Sequence, residues 1–441
     1  MTPVITSYFL YGTPMLTISP KFLLAAACLA TTATLSAASF FPTSPLIQIG
    51  EDTDIFFTAN TSLNITDNLY SSATKTSATS YTLVPGFSLE YAKDSPLYAS
   101  ASISRSLVRY AGISKLNNSQ DAIDGSAVID RGGPLKVTLR SSYHESARND
   151  NLTSLGIDGK AIGETLVRQG DYQHSLKLDY RLTEKILTGV TFTNSYNRYL
   201  NPVTIIDPNN SLNSIYNTNN LSQINTKNIG LAATYCPPGD LITYGLTYSH
   251  AQNDFSPAPY LSTNNVLRPA GIYKSTQDNF NLTASGSLTR SGKLSLSGSL
   301  GALSSKTLSK DTAVGDTKST DLSYAISLKH NLSEFINHEI NLGRSVSPTP
   351  SGTNSQTSTY GYSISSSLND SAAVSFNITK ASTAVGPTKI ESLNYGASAT
   401  YRMNAHLNFS ANLSMGDTKF PGNSVQNSQT KGFILSADFR Y

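Results

Sequence analysis

Residues 172–182 read Tyr-Gln-His-Ser-Leu-Lys-Leu-Asp-Tyr-Arg-Leu, and the character of the side chain changes at each step. Leu176, Leu178 and Tyr180 share the even positions, whereas polar and charged side chains such as Lys177 hold the odd ones. Because successive side chains of a β-strand point to opposite faces, this alternation predicts a strand with one apolar and one polar face. In a membrane, the two leucines would face lipid and the lysine would face the interior of a barrel.

The same pattern recurs along most of the chain, and it predicts about eighteen strands. Most have about 10 to 13 residues, which is long for a soluble strand and close to what a tilted strand needs to cross a bilayer. The predicted strands lie near residues 54–65, 80–92, 97–109, 120–130, 134–147, 170–182, 186–198, 223–235, 241–253, 276–288, 293–304, 318–330, 336–346, 356–368, 372–382, 389–402, 405–417 and 429–441.

The connections between these strands alternate in length. Every tight turn follows an even-numbered strand, and long polar loops such as 199–222 and 254–275 lie between the turns. Outer-membrane barrels have short periplasmic turns and long extracellular loops. The pattern therefore predicts an all-β fold, a transmembrane antiparallel up-and-down β-barrel of about eighteen strands, with sixteen as the alternative. The predicted turns are 93–96, 131–133, 183–185, 236–240, 289–292, 331–335, 369–371 and 403–404.

Five tyrosines share the apolar parity of their strands and lie near the ends of even-numbered strands. Aromatic side chains with a polar tip settle at the boundary between lipid and water, where barrels carry aromatic girdles. The alternative is that tyrosine is simply common in strands, which explains their presence but not their shared parity and depth. We predict an aromatic girdle formed by Tyr91, Tyr180, Tyr235, Tyr401 and Tyr441.

The amino terminus has the pattern of an export signal. Lys21 precedes an apolar stretch over residues 22–35, and Ser36-Ala37-Ala38 offers small residues for signal peptidase. We predict a signal peptide over residues 1–38, a periplasmic segment over 39–53 and the outer-membrane barrel over 54–441.

Two alternatives remain open in the predicted signal peptide. No basic residue precedes Lys21, so Met15 is a candidate for the true start. Cys28 raises the alternative of a lipoprotein, although the position three residues before it is Ala25 rather than the usual leucine. After cleavage Cys236 is the one remaining cysteine, so an internal disulfide is excluded.

The composition excludes several classes of protein. Of the 441 residues only 14% are charged, against about 25% in ordinary globular domains. A disordered chain would be rich in charge and poor in aromatic residues, whereas this chain has 24 Tyr and 16 Phe. The formal net charge of +3 is too small to indicate a nucleic-acid partner.

Several stretches resemble a known family: residues 45–50, 55–59, 66–70 and 83–91, the hairpin that begins at 171–182, and the terminal Phe439-Arg440-Tyr441. The family that they resemble is the β-barrel porin type 2 family. The resemblance spans most of the mature chain through degenerate motifs. It implies an outer-membrane barrel, linked in some members with exopolysaccharide export, and it brings no catalytic residues. Phe439 and Tyr441 resemble the terminal signal by which barrel-assembly machinery recognises its clients. The expected partners are therefore the barrel-assembly machinery, periplasmic chaperones, outer-membrane lipid and exopolysaccharide-export components.

The sequence holds no nucleophile elbow, Walker loop, dinucleotide fingerprint or His-Glu-x-x-His zinc motif. A barrel hydrolase would build a serine, histidine and acid cluster from different strands, for which His144 is the candidate histidine, although a surface or lumen histidine is the favoured interpretation. We therefore predict no enzyme activity, no cofactor and no metal site.

The predicted function is a porin-like outer-membrane channel with a polar lumen, serving diffusion or export of polar solutes. The alternative is a secreted or surface-anchored all-β adhesin with a solvated Ser/Thr/Asn face. Basic side chains on the inward parity near the periplasmic end predict a modest preference for anions. Acidic neighbours such as Glu90, Asp179 and Asp438 offer the opposing interpretation of local neutralisation. The predicted lumen-lining basic residues are Lys136, Lys177, Arg181, Lys329, Arg402 and Arg440.

Overall fold

The computed structural model describes residues 45–69, 75–92, 95–148, 167–200, 204–206, 215–217, 223–237, 241–256, 260–261, 267–268, 272–309, 315–348, 354–385, 388–421 and 427–441. Eighteen long strands form one antiparallel sheet. They are β1 Thr53–Thr66, β2 Ala78–Tyr91, β3 Leu97–Tyr110, β4 Asn118–Asp130, β5 Leu135–Arg148, β6 Val167–Arg181, β7 Ile186–Tyr199, β8 Gln223–Tyr235, β9 Ile242–Ser256, β10 Ile272–Ser287, β11 Leu294–Ser309, β12 Thr317–Asn331, β13 Ile336–Pro348, β14 Asn354–Asn369, β15 Ala372–Val385, β16 Thr388–Arg402, β17 Leu407–Lys419 and β18 Ser428–Arg440.

The sheet closes on itself, because β1 pairs with β18 as well as with β2. The closing register runs from Thr58 opposite Arg440 to Thr66 opposite Gly432. The last residue extends it, since the Tyr441 N–H donates to the Phe57 carbonyl at 2.9 Å. A closed sheet has no free edge strand. The predicted barrel of eighteen strands is confirmed, and the alternative of sixteen is wrong.

The two faces of the barrel differ in chemistry and in exposure. Large apolar side chains point outward, and Leu282, Leu300 and Leu322 in the middle of neighbouring strands are 61%, 58% and 60% exposed. Their neighbours along each strand, such as Ser299 and Ser323, point inward and line a cavity. The predicted alternation of apolar and polar faces therefore holds around the barrel wall, with the apolar face outside.

Short turns join the strands at one end, which we call the turn end, and mostly longer connections join them at the opposite end, the loop end. One device recurs in four of the turns. The side-chain oxygens of Thr183, Ser333, Asn369 and Asn404 each accept the N–H groups of the residues two and three positions later, at 2.8–3.2 Å. Ser, Thr and Asn favour such turns because they replace a backbone acceptor locally.

The loop end holds short additional elements. Two short hairpins pair Thr204–Ile206 with Ile215–Asn217, and Tyr260–Leu261 with Leu267–Arg268. Among the described residues the single helical element is the 3-10 turn Ser114–Leu116, and none of their helices has the length and apolar character to cross a membrane.

Asp67 fastens the loop end of the seam between β1 and β18. Its carboxylate lies 2.9 Å from Lys75 Nζ and accepts the N–H of Lys431 at 2.6 Å. Burial raises the pKa of Asp67, but these two hydrogen bonds and the positive charges of both lysines outweigh burial and hold the pKa below its usual value.

Close backbone packing in the middle of β2, between β1 and β3, requires glycine at position 86. Gly86 lies on β2 between Thr58 and Ser104, and an added Cβ would be 2.8 Å from the Ile103 carbonyl and 2.9 Å from Ser104 Cβ. A side chain at this position would therefore push neighbouring strands apart.

A strand that the sequence pattern did not predict precedes the barrel. Ile47–Ile49 pairs antiparallel with the first residues of β1, from Thr53 to Ile55. The predicted signal peptide, including Lys21 and Cys28, lies outside the described residues.

Candidate functional site

The inner face of the barrel is lined mainly by hydroxyl and amide side chains. Pairs of serines face each other directly across neighbouring strands, and their hydroxyl oxygens are 2.6–2.8 Å apart. In each pair one hydroxyl donates a hydrogen bond and the other accepts it, so neighbouring strands are linked by side chains as well as by the backbone. The pairs are Ser100 with Ser126, Ser305 with Ser319, Ser375 with Ser398, and Ser410 with Ser436.

Three of the predicted lumen-lining basic residues have acidic partners on the inner face. Lys136 Nζ lies 3.3 Å from Asp130, and Lys177 Nζ lies 2.9 Å from Asp179. Arg440 forms the shortest of the three ion pairs, with Glu90.

Arg440 closes an ion pair across the barrel seam. Its Nη2 lies 2.6 Å from Glu90 Oε1, and its guanidinium carbon lies 4.0 Å from the centre of the Phe56 ring. An aromatic face holds a guanidinium in place while leaving one edge for hydrogen bonding. The pair therefore ties β18 to the inner side of β1 and β2 at the turn end.

The other three basic residues have no ion pair with a described carboxylate. Arg181 ends β6 opposite Leu187, and Arg402 ends β16, where its Nε lies 3.4 Å from the Asn404 carbonyl. Lys329 stands opposite Glu339 in the register of β12 and β13. All six basic residues lie in the turn half of their strands.

The strand register shows three further acidic side chains on the inner face that the sequence analysis did not count. Asp54 stands opposite Glu90, Asp130 opposite Lys136, and Glu339 opposite Lys329, all on the inner face near the turn end. The sequence could have revealed these three acidic residues. Each is separated by an even number of positions from an inward-facing residue of its own strand and therefore shares its face. The basic and acidic side chains at this level are therefore nearly equal in number.

Cavities on opposite parts of the inner wall differ in chemistry. One of about 550 Å³ is lined by charged groups, including Glu90, Asp124, Arg140 and Arg440. Another of about 430 Å³ on β10 to β14 is lined by hydroxyl and amide groups, including Ser297 and Asn341. Inward positions of β7 to β11 carry no Lys, Arg, Asp or Glu in the described strands. The inner wall thus has a charged sector and an uncharged polar sector.

A depression of about 740 Å³ lies on the outer face rather than in the lumen. It is lined mainly by outward side chains such as Leu139, Leu176, Phe192 and Ile229. It therefore belongs to the apolar band.

Four of the predicted girdle tyrosines project outward at the turn end. Tyr91, Tyr180, Tyr235 and Tyr401 are 40–51% exposed. Tyr441 is half-buried, with its ring 6.2 Å from that of His406. Phe439 stands between Ala59 and Leu407 in the register of β18, on the apolar side.

A second aromatic row lies on the outer face, in the half of the barrel nearer the loop end. The sequence analysis did not predict it. The rings of Tyr143 and Tyr172 are 4.6 Å apart, and those of Tyr172 and Tyr196 are 6.2 Å apart. Tyr248 and Phe280 form a further outward pair at 4.6 Å, at the middle of β9 and β10. The sequence held a signal for this row, because its members share the parity of the predicted girdle tyrosines, as Tyr172 does with Tyr180 on β6.

The described histidines do not join a serine and an acid in one chain of hydrogen bonds. His144 Nε2 lies 2.7 Å from Asp124 on the inner face, whereas the histidine bonded to a serine is His174, whose Nδ1 lies 2.9 Å from Ser141 Oγ on the outer face. A serine hydrolase needs acid, histidine and serine in one chain of hydrogen bonds. Among the described residues no group of three or more His, Cys, Asp or Glu could hold a metal ion.

No protein-family model matches this chain, and no curated protein matches its sequence. Solved structures of similar fold include the FrpB iron transporter from Neisseria meningitidis, with a TM-score of 0.51, 9% identity, and coverage of 89% of this chain and 82% of that one. Pseudomonas aeruginosa OccK2 in complex with glucuronate has a TM-score of 0.48 and 9% identity, with coverage of 88% of this chain and 98% of that one. The alcaligin outer-membrane receptor FauA from Bordetella pertussis has a TM-score of 0.47 and 11% identity, with coverage of 90% of this chain and 77% of that one. At such identities the likeness is one of fold.

Proposed function

We propose that this protein is a porin-like outer-membrane channel that passes polar solutes by diffusion or export. The observation that carries the proposal is a closed barrel of eighteen strands with an apolar outer band and a polar inner wall. Lipid is the environment that favours exposed leucines around a complete circumference, and closure of the sheet satisfies most of the backbone within it. The proposal includes no catalytic activity and no cofactor.

The two aromatic rows support a membrane band of the expected height. Tyr172 and Tyr180 lie on the outward parity of β6, eight residues apart. At about 3.3 Å per residue and a tilt of about 40°, their separation along the barrel axis is about 20 Å, close to the roughly 25 Å apolar band of such barrels. The turn end would then lie at the periplasmic interface, with Tyr91, Tyr235, Tyr401 and Tyr441 completing the girdle there.

The uncharged sector supports a hydroxyl-rich solute. Inward Ser, Thr and Asn side chains on β7 to β11 can exchange hydrogen bonds with a passing solute without the desolvation penalty of an ion pair. Export of exopolysaccharide, which the resemblance to the porin type 2 family implies, fits this wall. We propose it as the finer function, with export components as partners.

The anion preference stays a prediction, and we expect it to be small. Arg181, Lys329 and Arg402 would attract anions near the turn end, while the acidic side chains at the same level oppose them. Charges of both signs on one wall give a weak net field.

We further propose that Phe439 and Tyr441 serve as the recognition signal for barrel-assembly machinery after delivery by periplasmic chaperones. The contact that supports this is the end of β18 at the seam, where Tyr441 exchanges two backbone hydrogen bonds with Phe57. The strand that closes the barrel is the one that carries the signal.

Conductance in planar bilayers tests the channel directly. Purified protein should insert and give stable ionic currents, and it should migrate differently in detergent gels before and after boiling. The rival adhesin would be recovered in a soluble fraction, would show no heat-dependent change in migration, and would give no current. That result would refute the channel.

A further inference from the structure

Backbone pairing between β12 and β13 stops halfway up the barrel wall. The register pairs Asn331 with Asn337 at the turn end and ends at Tyr324 opposite Arg344. Continued, it would place Ser323 opposite Ser345 and Leu322 opposite Val346, but these residues do not pair. Both strands remain paired on their other sides, β12 with β11 and β13 with β14, along nearly their full length.

Side chains of opposite faces meet at this break. Arg344 Nη2 donates to Gln356 Oε1 at 2.9 Å, and Gln356 Nε2 donates to Asp321 Oδ1 at 2.9 Å. Arg344 and Gln356 belong to the outward parity, whereas Asp321 belongs to the inward parity of β12. In a continuous sheet the backbone ladder separates such groups. A chain of side-chain hydrogen bonds therefore crosses the wall where the backbone ladder is absent.

A cavity of about 350 Å³ lies at the same place. Its lining includes the inward Ser323 and Leu303 together with Arg344 and Val346 of the outward parity. Leu303 is a leucine on an otherwise polar part of the inner wall, and it is 6% exposed. An apolar contact is thus present on the inner side of the break.

The outer face of β11 and β12, beside the break, is cationic above and apolar below. Lys306 and Lys318 are exposed and stand directly opposite each other on β11 and β12. Like charges in this arrangement repel unless an anion lies between them. Four residues lower on the same face, Ala302 stands opposite Leu322, where the apolar band begins. Cations above an apolar surface match a lipid with an anionic headgroup.

We propose that the break between β12 and β13 is a lateral portal that joins the lumen to the outer leaflet, and that it admits an acyl chain of a lipid with an anionic, phosphate-bearing headgroup. Lys306 and Lys318 hold the headgroup, the acyl chain passes between Leu322 and Val346, and Leu303 receives it inside. Arg344, Gln356 and Asp321 form a polar latch across the opening. This inference rests on the proposed membrane location.

Photo-crosslinking to lipid tests the portal. A benzophenone amino acid is introduced at Ser323, at the break, in protein reconstituted in nanodiscs of phosphatidylcholine with or without phosphatidylglycerol, and lipid adducts are measured by mass spectrometry. Ser410, inward on fully paired β17 and remote from the break, is the matched negative control, and outward Leu322 is the positive control. We expect adducts at Ser323 and Leu322, enriched for phosphatidylglycerol at Ser323, and none at Ser410.

The outcomes separate the portal from the proposed channel. No adduct at any position would mean that the protein is not embedded in lipid, which would overturn the channel and the portal together. Adducts at Leu322 alone would overturn only the portal. Lys306→Gln with Lys318→Gln should abolish the enrichment for phosphatidylglycerol, whereas Lys293→Gln in the turn before β11 should not. Unchanged enrichment in the double variant would refute the lysine site.

Closing the break supplies an independent readout. In a Cys236→Ser background, cysteines at Leu322 and Val346 are joined by a bifunctional thiol reagent. Joining them should remove the Ser323 adduct while leaving planar-bilayer conductance in place. Persistence of the adduct after joining would show that lipid reaches the lumen by another route.

Discussion

Arginine placed at Leu300 should destabilise the barrel strongly, because Leu300 lies in the middle of the apolar outer face. It is 58% exposed and is paired with Leu282 on β10 and Tyr324 on β12. Arginine at the bilayer midplane costs about 2 to 4 kcal/mol. At about 1.4 kcal/mol for each factor of ten, the folding equilibrium of Leu300→Arg should fall roughly 30- to 700-fold.

The neighbouring residue supplies the matched control. Ser299 differs by one position, points inward, and borders two lumen cavities. A water-filled lumen solvates a guanidinium, so Ser299→Arg should change the free energy of unfolding by less than about 1 kcal/mol. Leu300→Ser separates the loss of the leucine from the burial of a charge, and its cost should be smaller than that of Leu300→Arg.

Reversible urea unfolding in lipid vesicles measures these differences. The chain has no tryptophan, so far-ultraviolet circular dichroism and heat-dependent gel migration are the suitable probes. If Leu300→Arg and Ser299→Arg shift the unfolding midpoint equally, the outer face is not in contact with hydrocarbon and the assignment of faces is refuted.

Four further results are expected. Deleting Tyr441 removes its hydrogen bonds with Phe57 and should lower outer-membrane levels in fractionated cells; wild-type levels would contradict a terminal signal. Asp67→Asn should cost about 1 kcal/mol at pH 7. Because the pKa of Asp67 is lowered in the folded state, its stabilisation is present above the unfolded pKa of about 3.9 and is lost as the pH falls through the folded value, so the difference between variant and wild type should shrink as unfolding is measured at successively lower pH below the unfolded pKa. Gly86→Ala should cost about 1 to 3 kcal/mol in urea unfolding, and a smaller effect would mean that β1, β2 and β3 can move apart at this position. Arg181→Ser combined with Arg402→Ser should shift the reversal potential under a salt gradient toward cations, and an unchanged potential would remove these residues from the selectivity region.

Local physical chemistry made the strands readable from sequence. The alternation in residues 172–182 depends only on the two-residue period of a strand, and turn residues such as Thr183 and Asn404 act through neighbours two and three positions away. Strand ends were less predictable. β11 continues to Ser309 although apolar alternation fades after about residue 304, because backbone pairing with β10 holds the polar segment in the ladder.

The sequence by itself determined the all-β class, the strand number and which parity of each strand is apolar, since each follows from contacts between residues close in the chain. The tertiary structure decided which side chains face each other across strands, and hence the ion pairs of Lys136 and Lys177, the seam contact of Arg440 with Glu90, and the break between β12 and β13. These depend on register between strands, which the closed circuit of backbone hydrogen bonds fixes as a whole. A two-residue period records on which face a side chain lies, but it carries no information about the residue that stands opposite.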